Sequence, residues 1–360
     1  MLHLQKALSD NIWRQIFHRC LRTKPSHGYG GDVGRKSKAE RHESNEEEKE
    51  EHIRLFKSRG QHLLTNPRIL DCIVRTSNIK SDDTVLEIGP GTGNLTLELL
   101  EAAKNVVAVE IDNRMVEILR KRTSERGFND RLNIISGDAL KTDFPEFNLV
   151  VANIPYNISS PLLAKLVYGV KTNPFRSATL LLQKEFARRL LAKPGDSEFN
   201  RLAVNVTLVA EVEFVMDVSK RDFVPCPKVD SSVIKIYPKS EIPNVDLNEW
   251  WAFTRTCFSK KNKTLGATFK QKKKLIELMN LSDSGKFLEN DTSSSMTSFR
   301  GEIMRLLECG GFSDKRPIKL GNDDLLCLLS LFNEAGIFFH DRAKNKDTFD
   351  TAFDACDDLL

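Results

Sequence analysis

Between residues 85 and 237 the chain repeats one pattern, a short apolar run followed by a segment with apolar positions at helical spacing. The runs at 85–88, 106–109, 133–136, 149–152 and 178–182 predict strands. The segments between them predict helices: one carries Leu95, Leu99 and Ala102 on one face, and others cover 114–126, 161–168 and 185–191. Strands alternating with helices specify a doubly wound α/β sheet. Runs at 212–218 and 233–237 are joined by a loop and no helix, which predicts an antiparallel pair at the sheet edge. Upstream, residues 56–70 are basic at first and then helix-like from Asn66, with Pro67 at the first helical position. Beyond Lys239 the pattern changes. Helical periodicity at 247–258, 265–281, 299–307 and 323–334, with a polar, serine-rich break at 291–295, predicts a smaller all-helical C-terminal domain.

The stretch 85–112 organises the rest. It reads as a strand, a turn holding Gly89, Gly91 and Gly93, a helix, and a second strand that ends in Glu110. That is one βαβ unit with a ligand site at the carboxyl ends of its strands, where glycine lets backbone approach a ligand and Glu110 stands where a ribose diol is held. A dinucleotide fingerprint requires glycine at position 94. Asn94 stands there, and the spacing is E-x-G-x-G-x-G from Glu87 to Gly93. This matches turns that bind S-adenosylmethionine, where no pyrophosphate docks on the helix N-terminus; a purely structural glycine turn is the plain alternative.

Charge and composition narrow the chemistry. The net charge of +4 resides in residues 1–35, which carry six basic and two acidic side chains; the remainder is formally neutral. Bulk charge therefore makes no case for nucleic acid, and any such case rests on local clusters. The seven cysteines include no C-x-x-C pair, which argues against a zinc ribbon or a disulfide scaffold and fits a reducing compartment. From residue 63 to 339 there is no histidine, so chemistry in that span uses neither a histidine base nor a histidine metal ligand, and no metal is expected. No apolar run is long enough to span a bilayer. Residues 1–52 divide into a basic stretch with an apolar stripe at Ile12, Trp13, Ile16, Phe17 and Cys20, which has the composition of a mitochondrial transit peptide, and a polar, charged linker. A basic nuclear or nucleolar arm is the alternative. Residues 341–360 form an acidic tail.

A second motif, Asn153-Ile154-Pro155-Tyr156, ends the fourth predicted strand and so falls on the rim that holds Gly89 and Glu110. An exocyclic amine on adenine is a poor nucleophile because its lone pair is delocalised into the ring. The Asn153 amide oxygen and the Ile154 carbonyl can accept its two N–H bonds and aim that lone pair, with Pro155 fixing the turn and Tyr156 stacking on the base. The gain comes from alignment, since methyl transfer to nitrogen needs no strong base. Alone, N-I-P-Y is also an ordinary Asn-Pro turn. Two motifs in order on one rim point to an N-methyltransferase acting on a planar amine.

The segments FKSRGQHLLTNPRIL, VLEIGPGTGNLT, VVAVEID, GDALK, NIPYNISSPLLAKL, LLLQKEFARRLLAKPGD and FVPCPKVDSSVIKI, in this order, resemble the ribosomal RNA adenine dimethyltransferase family over about residues 56–238. KKNKTLGATFK resembles its eukaryotic members, and with the transit-like leader the best fit is a plant-type mitochondrial branch. The resemblance implies a Rossmann-like sheet over residues 53–238 and a helical RNA-contacting domain over 239–340. It implies S-adenosylmethionine as cofactor, and as partner the small-subunit ribosomal RNA within an assembling small subunit, with the enzyme a monomer. The implied reaction is dimethylation at N6 of two adjacent adenosines near the 3′ end of that RNA. Carried over by position, His62 and Leu64 would lie at the methionine end of the cofactor, with Gly89, Gly91 and Gly93 beneath it. Glu110 would hold the ribose and Asp138 the cofactor's adenine amino group. Asn153 would lie between cofactor and target, and Tyr156 and Phe186 would sandwich the target ring. Taken alone, His62 reads as a surface histidine, Asp138 as a helix cap and Phe186 as core. For RNA phosphates the candidates are Lys57, Arg59, Arg188, Arg189, Lys193, Lys260, Lys261, Lys263, Lys270, Lys272, Lys273 and Lys274, all of which are also consistent with solvated faces. The competing functions are a non-catalytic assembly or mitochondrial transcription factor on the same fold, a DNA or protein methyltransferase, and a large-subunit RNA methylase.

Overall fold

The computed structural model describes residues 61–282 and 292–341. The leader, the acidic tail beyond 341, Lys57 and Arg59 lie outside the described residues. In chain order the elements begin with β1 (Leu63–Leu64), α1 (Pro67–Thr76), β2 (Thr84–Ile88), α2 (Asn94–Ala102), β3 (Asn105–Glu110), α3 (Asn113–Glu125) and β4 (Leu132–Ser136). Next come β5 (Leu149–Asn153), α4 (Ser159–Tyr168), β6 (Ser177–Gln183), α5 (Lys184–Leu191), α6 (Arg201–Val209), β7 (Ala210–Val218), β8 (Phe223–Val224) and β9 (Ser231–Pro238). Helices α7 (Leu247–Phe258), α8 (Leu265–Phe269), α9 (Lys272–Leu281), α10 (Thr292–Cys309) and α11 (Asn322–Glu334) follow.

The main sheet runs β4-β3-β2-β5-β6-β9-β7. Its first five strands are parallel, whereas β9 pairs antiparallel with both β6 and β7, so the expected antiparallel edge pair is present. Strands β2, β3, β5 and β6 are buried on both faces, which explains why they read as continuous apolar runs rather than as alternation. Neighbouring residues divide between two cores. Val85, Val106, Leu149 and Val151 pack under α1 and α2 with Leu70, Ile73, Leu95 and Leu99. Leu86, Val107, Val150 and Leu180 pack on the other face with Leu162, Leu166 and Leu202. That second core continues without a break into the helical region through Trp250, Phe253, Phe269, Phe332 and Phe339. The last four are linked ring to ring, with Phe253–Phe339 centroids 5.0 Å apart and Phe269–Phe332 5.2 Å apart.

Three local expectations change. Helix α6 has no counterpart among the expected elements. All its residues except Thr207 are buried, so its sequence lacks an amphipathic period, and its start is set by Asn200, whose side chain accepts from the N–H groups of Leu202 and Ala203. The helix expected over 265–281 is two helices. Gln271 is extended between them, and the break re-phases the apolar face, because a continuous helix would place Lys272 and Lys273 beneath Leu265 and Phe269 where the core requires Leu275 and Leu278. The serine-rich stretch expected as a break is instead part of α10, which begins at Thr292.

Chain direction makes the site. From β2 the chain winds outward through β3 to β4, then returns to β5 on the other side of β2 and continues to β6. The crevice between the carboxyl ends of β2 and β5 is the topological switch point, where ligands of open α/β sheets bind.

Candidate active site at the ends of the parallel strands

The turn leaving β2 is built from left-handed backbone. Gly89, Gly91 and Gly93 have φ of 66°, 56° and 85°, and side chains would collide as well. A Cβ on Gly91 would stand 2.8 Å from Leu63, and one on Gly93 2.4 Å from Leu119. The Gly91 N–H donates to Glu110 Oε2 at 3.1 Å and the Asp112 N–H to Oε1 at 2.9 Å, so one carboxylate at the end of β3 fixes both the turn and the chain beyond it. Burial raises the Glu110 carboxyl above its ordinary range, and these two N–H donors partly offset the rise. Asp112 caps α3 and is held on both sides, by Arg114 at 2.5 Å and by Gln61 at 2.9 Å; the Arg114 guanidinium keeps its carboxyl well below the usual range.

Asn94 does more than break a fingerprint. Its amide donates to the Leu64 carbonyl at 2.9 Å, and Arg122 donates to its oxygen at 2.8 Å and also to the Thr92 carbonyl. The N-terminus of α2, where a pyrophosphate would dock in a dinucleotide site, is thereby tied to β1. The residues around this crevice supply acceptors, as a ligand with an ammonium, a sulfonium, a ribose diol and an adenine amine requires, so the site fits S-adenosylmethionine. Ile111, next to Glu110, is a large apolar side chain left 61% exposed.

Glu87 heads the same motif, yet it is buried in the sheet, and burial pushes its carboxyl up to about 8. The folded protein keeps this proton through a range in which an unfolded glutamate, with a pKa of about 4.3, has lost it. Stability contributed at this position therefore falls as pH rises from about 4.3 toward 8. Thermal unfolding followed by circular dichroism should show Glu87→Gln gaining melting temperature over the wild type, little below about pH 5 and most above about pH 8. A difference independent of pH would contradict the assignment.

Asp138 lies after β4, where its Oδ1 accepts from the Leu140 N–H at 2.9 Å, the self-capping turn open to this residue type. Lys165 of α4 holds that loop from the other side. Its ammonium donates to the carbonyls of Ala139, Leu140 and Thr142 and lies 4.2 Å from the centre of the Phe144 ring.

The Asn153–Tyr156 segment follows β5 and meets the glycine turn directly: a Cβ on Gly89 would stand 3.2 Å from the Pro155 ring. Asn153 donates its side-chain N–H to the His62 carbonyl at 3.2 Å, which leaves Oδ1 to accept from an amine. Ile154 is buried, with its N–H on the Leu181 carbonyl of β6. The Tyr156 ring stacks on His62, centroids 5.8 Å apart and planes 27° from parallel. His62 Nδ1 donates to the Pro225 carbonyl at 2.7 Å, and the Tyr156 hydroxyl is bonded to Ser231 Oγ at 2.7 Å. Phe186 is half-buried on α5, which leaves β6 beside this turn, and it packs against the larger core. Thus β1, the glycine turn and N-I-P-Y meet at one crevice, with Glu110 at the end of β3 and Asp138 in the loop after β4.

A family model described as ribosomal RNA adenine dimethylase matches residues 54–297. The chain belongs to the ribosomal RNA adenine dimethylase family. Among curated relatives, it is 61% identical to the Arabidopsis thaliana ribosomal RNA small subunit methyltransferase, mitochondrial, over 93% of this chain and 92% of that protein. It is 44% identical to another Arabidopsis thaliana protein, named ribosomal RNA small subunit methyltransferase, over 80% of this chain and 93% of the relative. A crystal structure of a dimethyladenosine transferase from Plasmodium falciparum superimposes with a TM-score of 0.68 at 43% identity, covering 77% of this chain and all of the other. The Rossmann-like methyltransferase sheet with its C-terminal helical region is the fold of this dimethylase.

The basic side chains of this dimethylase do not form one class. Arg188, Lys193, Lys260, Lys263, Lys270, Lys272 and Lys273 are exposed, and Arg189 is half-buried. Lys261 instead donates to the Ser197 and Phe199 carbonyls, and Lys274 pairs with Glu277 at 2.9 Å, so both have structural work within the chain. Sequence reasoning missed Gln61, Arg122, Lys165 and Ser231, whose partners lie from 23 to 75 residues away in the chain. Among the described residues no helix is long and apolar enough to cross a membrane, and no group of three or more His, Cys, Asp or Glu side chains is placed to hold a metal ion.

Proposed function

We propose that this protein dimethylates N6 of two adjacent adenosines near the 3′ end of small-subunit ribosomal RNA, using S-adenosylmethionine, during assembly of the small subunit. The observation that carries this reading is the contact between the two halves of the crevice, where Pro155 of N-I-P-Y packs on Gly89 of the cofactor turn and Asn153 is tied to His62. When bound, S-adenosylmethionine supplies an electrophilic methyl group on a sulfonium. His62 and Leu64 would line its methionine end, Gly89, Gly91 and Gly93 would lie beneath it, Glu110 would hold the ribose, and Asp138 would accept from the adenine amine. Asn153 Oδ1 and the Ile154 carbonyl would accept the two N–H bonds of the target amine and so direct its lone pair. Tyr156 and Phe186 would stack on the target ring. Burial raises the Tyr156 phenol above its ordinary pKa, so it stays neutral and serves as a platform rather than a base.

The exposed Lys260 and Lys263, with Arg188, are proposed to meet RNA phosphates, residues 239–340 acting as the RNA-contacting region of a monomer. Binding to small subunits should weaken steeply with salt. Replacing Lys260 and Lys263 by glutamine should lower the slope of log affinity against log salt by about 1.5, since each phosphate contact contributes roughly 0.7–0.9. An unchanged slope in filter binding would remove both residues from the interface. Higher identity to the plant relative named mitochondrial supports a mitochondrial location, which imaging a fusion of residues 1–52 would test.

The reading as a whole is tested with labelled S-adenosylmethionine and ribosomal subunits that lack the modification. Label should enter small subunits and not large ones. Label confined to large subunits, or label in neither, would overturn it.

A further inference from the structure

Ser231 is the first residue of β9 and is completely buried, paired with Gln183 of β6 on one side and Val218 of β7 on the other. Both neighbouring strands fix its backbone. Its hydroxyl meets the Tyr156 hydroxyl at 2.7 Å across 75 residues of chain. Tyr156 itself stands in a short 3-10 turn, half-buried at the crevice. The loop before Ser231 holds the second ring of the stack, because the Pro225 carbonyl accepts from His62 Nδ1. One segment, Pro225 to Ser231, therefore fixes both rings at this end of the crevice. If Tyr156 were only a stacking surface, its hydroxyl would be dispensable, because phenylalanine presents the same face to a base.

We propose that Ser231 is a positioning residue for methyl transfer: its hydroxyl anchors that of Tyr156, which sets the plane of the ring on which the target base stacks. This deepens the assignment of Tyr156 to the target base and rests on it. A ring free to tilt would still bind RNA, but it would present the amine out of line with the methyl group. The loss would then appear in the transfer rate rather than in affinity, as misplacement near a reacting centre does.

The test is single-turnover methyl transfer to small subunits at saturating cofactor and RNA, for wild type, Ser231→Ala, Tyr156→Phe and the double variant. Cofactor and subunit affinities are measured in parallel. Each single variant should slow transfer on the order of tenfold while both affinities stay within about twofold. The double variant should be no slower than Tyr156→Phe, because the two hydroxyls form one bond. Tyr156→Phe leaves the buried strand untouched and so reads the anchor even where Ser231→Ala disturbs folding. Wild-type rates for Tyr156→Phe, or losses that multiply in the double variant, would overturn the anchor while leaving the function in place. Absence of transfer by the wild type would overturn the function and the anchor together.

Discussion

Asn153→Ala should lose methyl transfer by roughly a hundredfold to a thousandfold, the scale of removing one aligned polar group from a reacting centre. The adenine amine has no strong lone pair to offer, so its orientation decides the rate. Asn153, proposed for that task, is held by two restraints. Its backbone ends β5, paired with Leu181 of β6, and its amide nitrogen is engaged by the His62 carbonyl. Alanine removes the acceptor and leaves the His62 carbonyl without that donor at a half-buried position, a cost to folding of about 1 kcal/mol. The variant should therefore fold, bind subunits as the wild type does, and fail in transfer. Stopped time courses with labelled S-adenosylmethionine measure this directly. A rate within about threefold of wild type would remove Asn153 from the mechanism.

Glu110→Gln carries the second large effect. Both Glu110 oxygens accept backbone N–H groups, from Gly91 and from Asp112, and the same carboxylate is proposed to receive the ribose hydroxyls. Glutamine keeps one acceptor and turns an N–H₂ group toward one of these donors. Hydrogen bonds to a charged acceptor contribute about 1.5–3 kcal/mol, so cofactor affinity should fall roughly tenfold to a hundredfold. Equilibrium binding of S-adenosylmethionine by calorimetry checks it. Subunit affinity should change little, which separates this variant from one that merely unfolds. Unchanged cofactor affinity would move the ribose contact elsewhere.

What could be read from the chain alone follows physical lines. Strands β2, β3, β5 and β6 were legible because strands buried on both faces must be apolar throughout, and the glycine turn because only glycine tolerates its backbone beside Leu63 and Leu119. Asn94 was legible as an exclusion, and the structure adds its positive role as the tie between α2 and β1. Helix α6 was hidden by its own burial, since a helix covered on nearly all sides shows no period. The pairing of Leu63 and Leu64 with Val224 and Phe223 was hidden because a two-residue strand carries no pattern. Lys261 shows the limit for charge. It looked like its neighbours in sequence, but it is spent on the carbonyls of a loop more than sixty residues away. Ser231 was unreadable for the same reason, since a serine at the start of a strand says nothing of a tyrosine brought there by the sheet.

The crevice between Gly89 and Asn153 is proposed to methylate adenine at N6 in small-subunit RNA. Mass spectrometry of nucleosides and fragments from unmodified small subunits, incubated with the protein and S-adenosylmethionine, tests it most directly. Wild-type protein should yield N6,N6-dimethyladenosine at two adjacent positions near the 3′ end, and Asn153→Ala should yield roughly a hundredfold less or lower still in the same time. Methylation at another base or atom, or equal products from both proteins, would contradict it.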